Sequence, residues 1–168
     1  MKNLSGIVVS LLLAIVALAA PSRVMADPFK DLIFLTENYA PFNFEKDGKL
    51  QGITIDILRE IFKKTGSSKT VKDIKLVPWT KGYRAIQRNK NTMLFTMTRT
   101  ETREPMFKWV GPLTPSNIIV VARKDRNIRI NAVRDFNQYK IGAVRDDVAE
   151  LLLLEAGVNP GNIYETAS

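Results

Sequence analysis

Apolar positions recur along this chain with two different spacings. Short, largely apolar runs occur at Leu32–Leu35, Ile74–Val77, Thr92–Thr96, Ile118–Val121 and Ile141–Val144. Runs of that length predict buried strands. Between them the spacing lengthens to that of helices. Over residues 54–65, Ile57, Leu58, Ile61 and Phe62 fall on one face, and Asp56, Arg59, Glu60 and Lys63 on the other. Lys63 and Lys64 suit the negative end of that helix dipole, and Gly66 supplies its stop. Trp79, Tyr83 and Ile86 mark a second helix. Strand, helix, strand, helix, strand predicts a parallel sheet covered by helices, an α/β arrangement. A second unit starts after the charged stretch Arg123–Arg126. It comprises a short helix over 132–136, the strand at 141–144, a helix over 147–156 capped by Gly157, and a strand at 162–166.

The first residues have a different pattern. Lys2 is followed by an apolar run from Ile7 to Ala20 broken only by Ser10, and then by Pro21-Ser22-Arg23 and Val24-Met25-Ala26. This predicts a cleaved secretion leader over 1–26, with processing between Ala26 and Asp27. The apolar run falls short of the ~20 residues that span a bilayer.

Composition narrows the chemistry. The chain has 168 residues with neither cysteine nor histidine. Disulfides, serine–histidine and cysteine–histidine nucleophiles and the usual zinc sites are therefore excluded. No spaced pair of carboxylates stands out, so neither a catalytic residue, a metal nor a cofactor is expected, and binding is favoured over catalysis. The formal net charge is +8. Nine basic residues lie between Lys63 and Lys90 against one acid, Asp73. No nucleic-acid motif accompanies them, and export makes that partner improbable, so a solvated face is expected.

The segment Thr98-Arg99-Thr100-Glu101-Thr102-Arg103-Glu104 places two guanidinium groups among hydroxyls. It leads into Phe107, Trp109 and Val110, which are expected to be buried. Such a segment is either an ordinary turn, with Arg103 paired to Glu101 or Glu104, or a seat for an anion. Arg99 is either solvent-facing or a second positive charge in that seat.

Four segments in register carry a family resemblance: Tyr39-Ala40-Pro41-Phe42-Asn43-Phe44; Asp47–Asp56 (DGKLQGITID); Thr98–Glu104, continuing to Trp109-Val110-Gly111-Pro112; and Lys140–Asp147 (KIGAVRDD). In these the chain resembles the periplasmic solute-binding proteins of ABC importers that take polar amino acids, family 3. The resemblance implies a two-lobed periplasmic-binding-protein-like fold of type II with ligand shut between the lobes. Lobe one would be 27–118, and the crossover strand with part of lobe two would be 119–168, the second lobe being incomplete. It implies a monomeric receptor in the periplasm that hands a small polar solute, an amino acid, to an inner-membrane permease.

The same resemblance assigns the residues. Arg103 would fork onto the ligand carboxylate, with donors from Thr98 and Thr96. Tyr39 would lie against the ligand body. Trp79 either walls the cleft or packs in the core. Arg145 and Asp146 lie at the lobe-two edge, where Asp146 or Asp147 either meets a ligand ammonium or caps the helix. The same fold also serves as a periplasmic dehydratase of the cyclohexadienyl type and as the sensor module of membrane signalling proteins. A fragment without function is the remaining alternative.

Overall fold

The computed structural model describes residues 26–167. The expected leader lies outside the described residues, apart from Ala26. Strand β1 (Ile33–Thr36) is central in a three-stranded parallel sheet between β4 (Ile74–Leu76) and β5 (Thr92–Leu94). Phe34 stands opposite both Ile74 and Met93. The short hairpin β2 (Phe44–Lys46) and β3 (Lys49–Gln51) precedes α1 (Ile53–Lys64), and α2 (Trp79–Arg88) joins β4 to β5. The strand order β4-β1-β5 makes consecutive right-handed crossovers travel in opposite directions, which puts α1 and α2 on opposite faces.

The packing agrees with that topology. Phe34, Ile55, Leu58, Phe62, Ile74 and Phe95 form the core under α1, with Phe29 and Met93 against it. Phe29, Phe34 and Phe62 meet edge to face at 5.1–6.1 Å between ring centroids. On the other face, α2 approaches so closely at Gly82 that a Cβ there would lie 3.0 Å from Leu94 Cδ1.

The α1 stripe is rotated from the expected one. Thr54, Ile55, Leu58 and Phe62 are buried, whereas Ile57 and Ile61 are 37% and 38% exposed. The sheet covers one narrow side of α1, and it selects the i, i+3, i+7 row starting at Ile55. Gly66 ends the helix as expected, with φ 64° and Ser67 N–H donating to Phe62 O at 3.0 Å.

Strand β6 (Ile141–Val144) pairs in parallel with β7 (Ile163–Thr166), and α3 (Val148–Glu155) crosses between them. Ala143, Leu153 and Val158 form a small second core with Phe136, Ile141 and Ile163 against it. The expected short helix near 132–136 is a 3-10 turn, Val133–Gln138. Gly157 closes α3 with φ 84°.

Two expectations fail between these units. Ile118–Val121 forms no strand, and Ile119 and Val121 are 76% and 80% exposed. No neighbouring strand among the described residues offers it a ladder, so apolar composition alone does not bury it. Val110 is likewise exposed, and Phe107 and Trp109 are half-buried rather than core.

The start of α1 is locked to the turn after β1. Ile53 N–H donates to Pro41 O at 3.1 Å and Thr54 N–H to Phe42 O at 2.9 Å. Gly52 makes that approach possible: its φ is 125°, and a Cβ would fall 2.4 Å from Phe42 O. Gly48, with φ 69°, has open space around it. Gly52→Ala is therefore expected to cost about 3 kcal/mol in urea unfolding, and Gly48→Ala about 1 kcal/mol. Equal costs would show that the α1 start is not constrained by the Phe42 backbone.

Candidate functional site

Arg103 lies in the turn after β5 and is only 2% exposed. Its Nη1 donates to Thr98 O at 3.0 Å and its Nη2 to Asp146 O at 2.8 Å. The guanidinium carbon lies 5.4 Å from the Trp79 ring centroid and 5.2 Å from that of Tyr83. Those two rings stack on each other at 5.3 Å, one turn apart at the start of α2. The cation is thus held by aromatic faces and backbone carbonyls. Among the described residues no carboxylate lies within ion-pair distance of it. Burying a charge costs several kcal/mol, of which two cation–π contacts and two charge-assisted hydrogen bonds recover part.

The turn reading of this segment fails for Arg103. Glu104 pairs instead with Arg99 through two contacts of 2.5 Å, and Arg99 lies 5.7 Å from the Trp109 centroid. The exchange raises the Arg99 pKa and lowers that of Glu104 on the surface. Arg99 is solvent-facing.

Asp146 contributes its backbone. It adopts φ 61°, and its N–H donates to Glu150 Oε2 at 2.6 Å. Glu150 on α3 is itself buried, and burial raises its pKa. This carboxyl holds the Asp146 peptide in a left-handed geometry that directs the carbonyl at Arg103. Asp147 occupies the N-cap position of α3 without a side-chain cap bond, so the expected aspartate cap is absent. Arg145 points elsewhere: it is exposed and pairs with Glu165 at 2.5 Å.

At the carboxyl-terminal edge of the sheet, the loops after β1 and β5 meet. Thr96, with φ 64°, brings its hydroxyl to 2.5 Å from Asn43 Oδ1 and 2.5 Å from Phe95 O. A positive φ at a β-branched residue is strained, and buried Asn43 holds it. Asn43 Nδ2 also donates to Glu37 O at 2.6 Å, and its backbone bridges to Tyr39. Tyr39 is 44% exposed and stacks on Phe42. Arg103, Thr98, Trp79 and Asp146 are therefore in direct contact, whereas Thr96 and Tyr39 join through Asn43. Thr98 meets Arg103 through its carbonyl rather than its hydroxyl. Trp79 is buried, as its packing reading expects, with its ring against Arg103.

Sequence reasoning missed Tyr83, Glu150 and Glu37. The spacing of four between Trp79 and Tyr83 was the signal for the first. Glu37 directly follows a buried strand, and a charge there marks the sheet edge where ligands collect. Burial, with the Asp147 charge nearby, raises its pKa to about 7. Thr36 Oγ1 and Trp79 Nε1, both fully buried, have no hydrogen-bond partner among the described residues.

The sequence profile of the bacterial extracellular solute-binding proteins, family 3, matches residues 32–162. Solved structures share the fold. An ancestral arginine-binding protein bound to arginine is 23% identical, with a TM-score of 0.62 over 83% of this chain and 62% of that one. An ancestral amino acid-binding protein, a precursor of cyclohexadienyl dehydratase, is 21% identical, with a TM-score of 0.62 over 82% and 62%. A chain solved in work on glutathione import by Gram-positive bacteria and the cystine ABC importer of Streptococcus mutans is 22% identical, with a TM-score of 0.61 over 82% and 59%. This chain thus spans about three fifths of the length of each. No curated protein matches it.

Glu37 gives the site a testable pH signature. Its folded pKa lies above its ordinary value of 4.5. The folded state therefore binds the extra proton, and this contribution is present below about 4.5 and lost as pH rises through about 7. Thermal melts between these values are expected to fall less steeply with pH in Glu37→Gln than in the unmodified chain. Parallel slopes would place Glu37 in water. By profile and by fold, the chain belongs to the bacterial extracellular solute-binding proteins of family 3, with a type II periplasmic-binding-protein-like fold of which it spans part.

Proposed function

We propose that this chain is part of an exported periplasmic receptor for an amino acid, held between lobe one (27–118) and a second lobe of which 119–168 supplies the crossover and part, and delivered to an ABC permease. The observation that carries this reading is the buried Arg103 guanidinium, which has no carboxylate in ion-pair reach among the described residues. Two of its five N–H donors are used on Thr98 O and Asp146 O. The remaining donors suit the two oxygens of a ligand carboxylate in a dry cleft. Thr98 and Asp146 orient the guanidinium through their carbonyls, Trp79 and Tyr83 supply aromatic faces, and Thr96 and Tyr39 stand at the same sheet edge, joined through Asn43, while Arg145 is turned to Glu165.

Glu37 refines the ligand class. A half-buried carboxyl at the same sheet edge complements an ammonium or guanidinium group. An amino acid bearing such a group would satisfy both ends. Binding would proceed by hinge closure, with lobe one engaging first and Asp146 O already joining Arg103 across the lobes. The receptor would act as a monomer, without cofactor, metal or nucleic acid.

Glu37 also favours a second reading. A carboxyl that keeps its proton near neutrality is suited to general acid catalysis, and one similar structure is a dehydratase precursor.

One titration separates these readings. Calorimetry with arginine and glutamine is expected to give an affinity near the micromolar range, about −8 kcal/mol. Arg103→Lys keeps the charge but loses the fork and part of its carbonyl contacts, and is expected to weaken binding at least ~100-fold at a temperature where circular dichroism shows the variant still folded, its melting point being lower. Unchanged affinity in that variant would refute the carboxylate seat. Conversion of prephenate by the unmodified chain, lost in Glu37→Gln, would replace the receptor with the dehydratase.

A further inference from the structure

The site uses none of the nine basic residues between Lys63 and Lys90, and the topology collects most of them at one end. In a parallel sheet every returning connection enters at the amino-terminal edge of the next strand. Helix α1 ends with Lys63 and Lys64, and its connection to β4 carries Lys69 and Lys72. Helix α2 ends with Arg88, and its connection to β5 carries Lys90. Hydrogen bonds fix both connections beside the entry to β1. Ser68 N–H and Oγ donate to Asp27 Oδ2 at 2.7 and 2.6 Å, and Ile33 N–H donates to Asn91 O at 2.8 Å. These six cations therefore share the pole opposite Glu37 and Thr96.

Among the described residues none of the six makes an ion pair, whereas Arg59, Arg99, Arg123 and Arg145 each do. Two acids at this pole are engaged by hydrogen-bond donors, and Asp31 and Glu60 form no ion pair among the described residues. Asp27 is held by Ser68 and Phe29 N–H, and Asp73 by the Thr70 N–H and hydroxyl, with Lys69 near enough to lower its pKa further. Asp31 adjoins Lys30 in sequence. Five of the six side chains are exposed and Lys69 is half-buried. A merely solvated face explains exposure, but it does not explain cations of one sign held together without partners.

We infer that this pole is a docking surface for the anionic phospholipid headgroups of a membrane. Five of the six cations are lysines, strongly hydrated point charges on flexible stems, drawn from four separate segments. That suits a diffuse plane of phosphates better than the fixed edges of a nucleic-acid groove. The expected leader delivers the chain to a compartment bounded by membranes. No described helix is long and apolar enough to span one, and the proposed contact is through headgroups alone. It leaves the candidate cleft, at the opposite edge of the sheet, free.

The test is co-sedimentation of the processed protein with vesicles containing about one third phosphatidylglycerol in phosphatidylcholine. Each basic residue near such a surface adds about fivefold to the affinity. A pole variant carries Lys63→Gln, Lys64→Gln, Lys72→Gln and Lys90→Gln. A charge-matched control carries Lys108→Gln, Arg126→Gln, Arg129→Gln and Arg134→Gln. The unmodified chain and the control are expected to bind at about 0.01 M salt and to release at about 1 M, as the Debye length falls from ~30 to ~3 Å. The pole variant, with the same circular dichroism, is expected to bind at least ~100-fold more weakly. Absent binding at low salt, equal loss in the control, equal binding to pure phosphatidylcholine, or tighter binding to duplex DNA would each overturn the inference.

Discussion

A cation removed from water, with no carboxylate in ion-pair reach among the described residues, is the constraint around which this structure is organised. Arg103 is buried, yet its partners are two carbonyls and two ring faces. Each partner needs its own support. Trp79 and Tyr83 stack because α2 begins immediately after β4. Asp146 presents its carbonyl because Glu150 holds its amide in a left-handed turn. Two positions carry a left-handed φ, Asp146 against the charge and Thr96 at the same sheet edge, and each is held by a buried polar side chain, Glu150 or Asn43. Strain of this kind costs roughly 1–3 kcal/mol per residue and persists only where the surroundings overdetermine it.

Local pattern made much of the fold legible. The runs at Leu32–Leu35 and Ile74–Val77 became β1 and β4 within a residue, because each is short, mostly apolar and bounded by turn or helix signals. Parallel pairing followed from the alternation of strands and helices. Gly66 and Gly157 stop their helices for the reason glycine usually does, a left-handed φ. What failed was long-range. Ile118–Val121 reads as a buried strand on composition, but burial needs a partner sheet, and none lies beside it among the described residues. Ile57 and Ile61 share the apolar character of Leu58, yet the width of the sheet decides which row is covered.

The site divided along the same line. Arg103 is legible as a candidate because a guanidinium among hydroxyls leaves an anion seat open and the family resemblance selects it, while Trp79 stays open between cleft wall and core. Glu37 could not, since its raised pKa arises from burial and from Asp147, a residue 110 positions away in the chain. Glu150 acts through a backbone amide, which leaves no mark on side-chain pattern. Arg145 illustrates the converse. Its place at a strand end suggested a ligand contact, but Glu165 on β7 lies closer and takes it.

The claim that Arg103 is an anion seat is tested most directly by Trp79 fluorescence. With Trp109→Phe leaving Trp79 as the one indole, arginine is expected to produce a saturable change as its carboxylate reaches the guanidinium beside the ring. Arginine methyl ester, with the same cationic side chain and no carboxylate, is expected to produce none. An ester titration that coincides with that of the free acid would contradict the account.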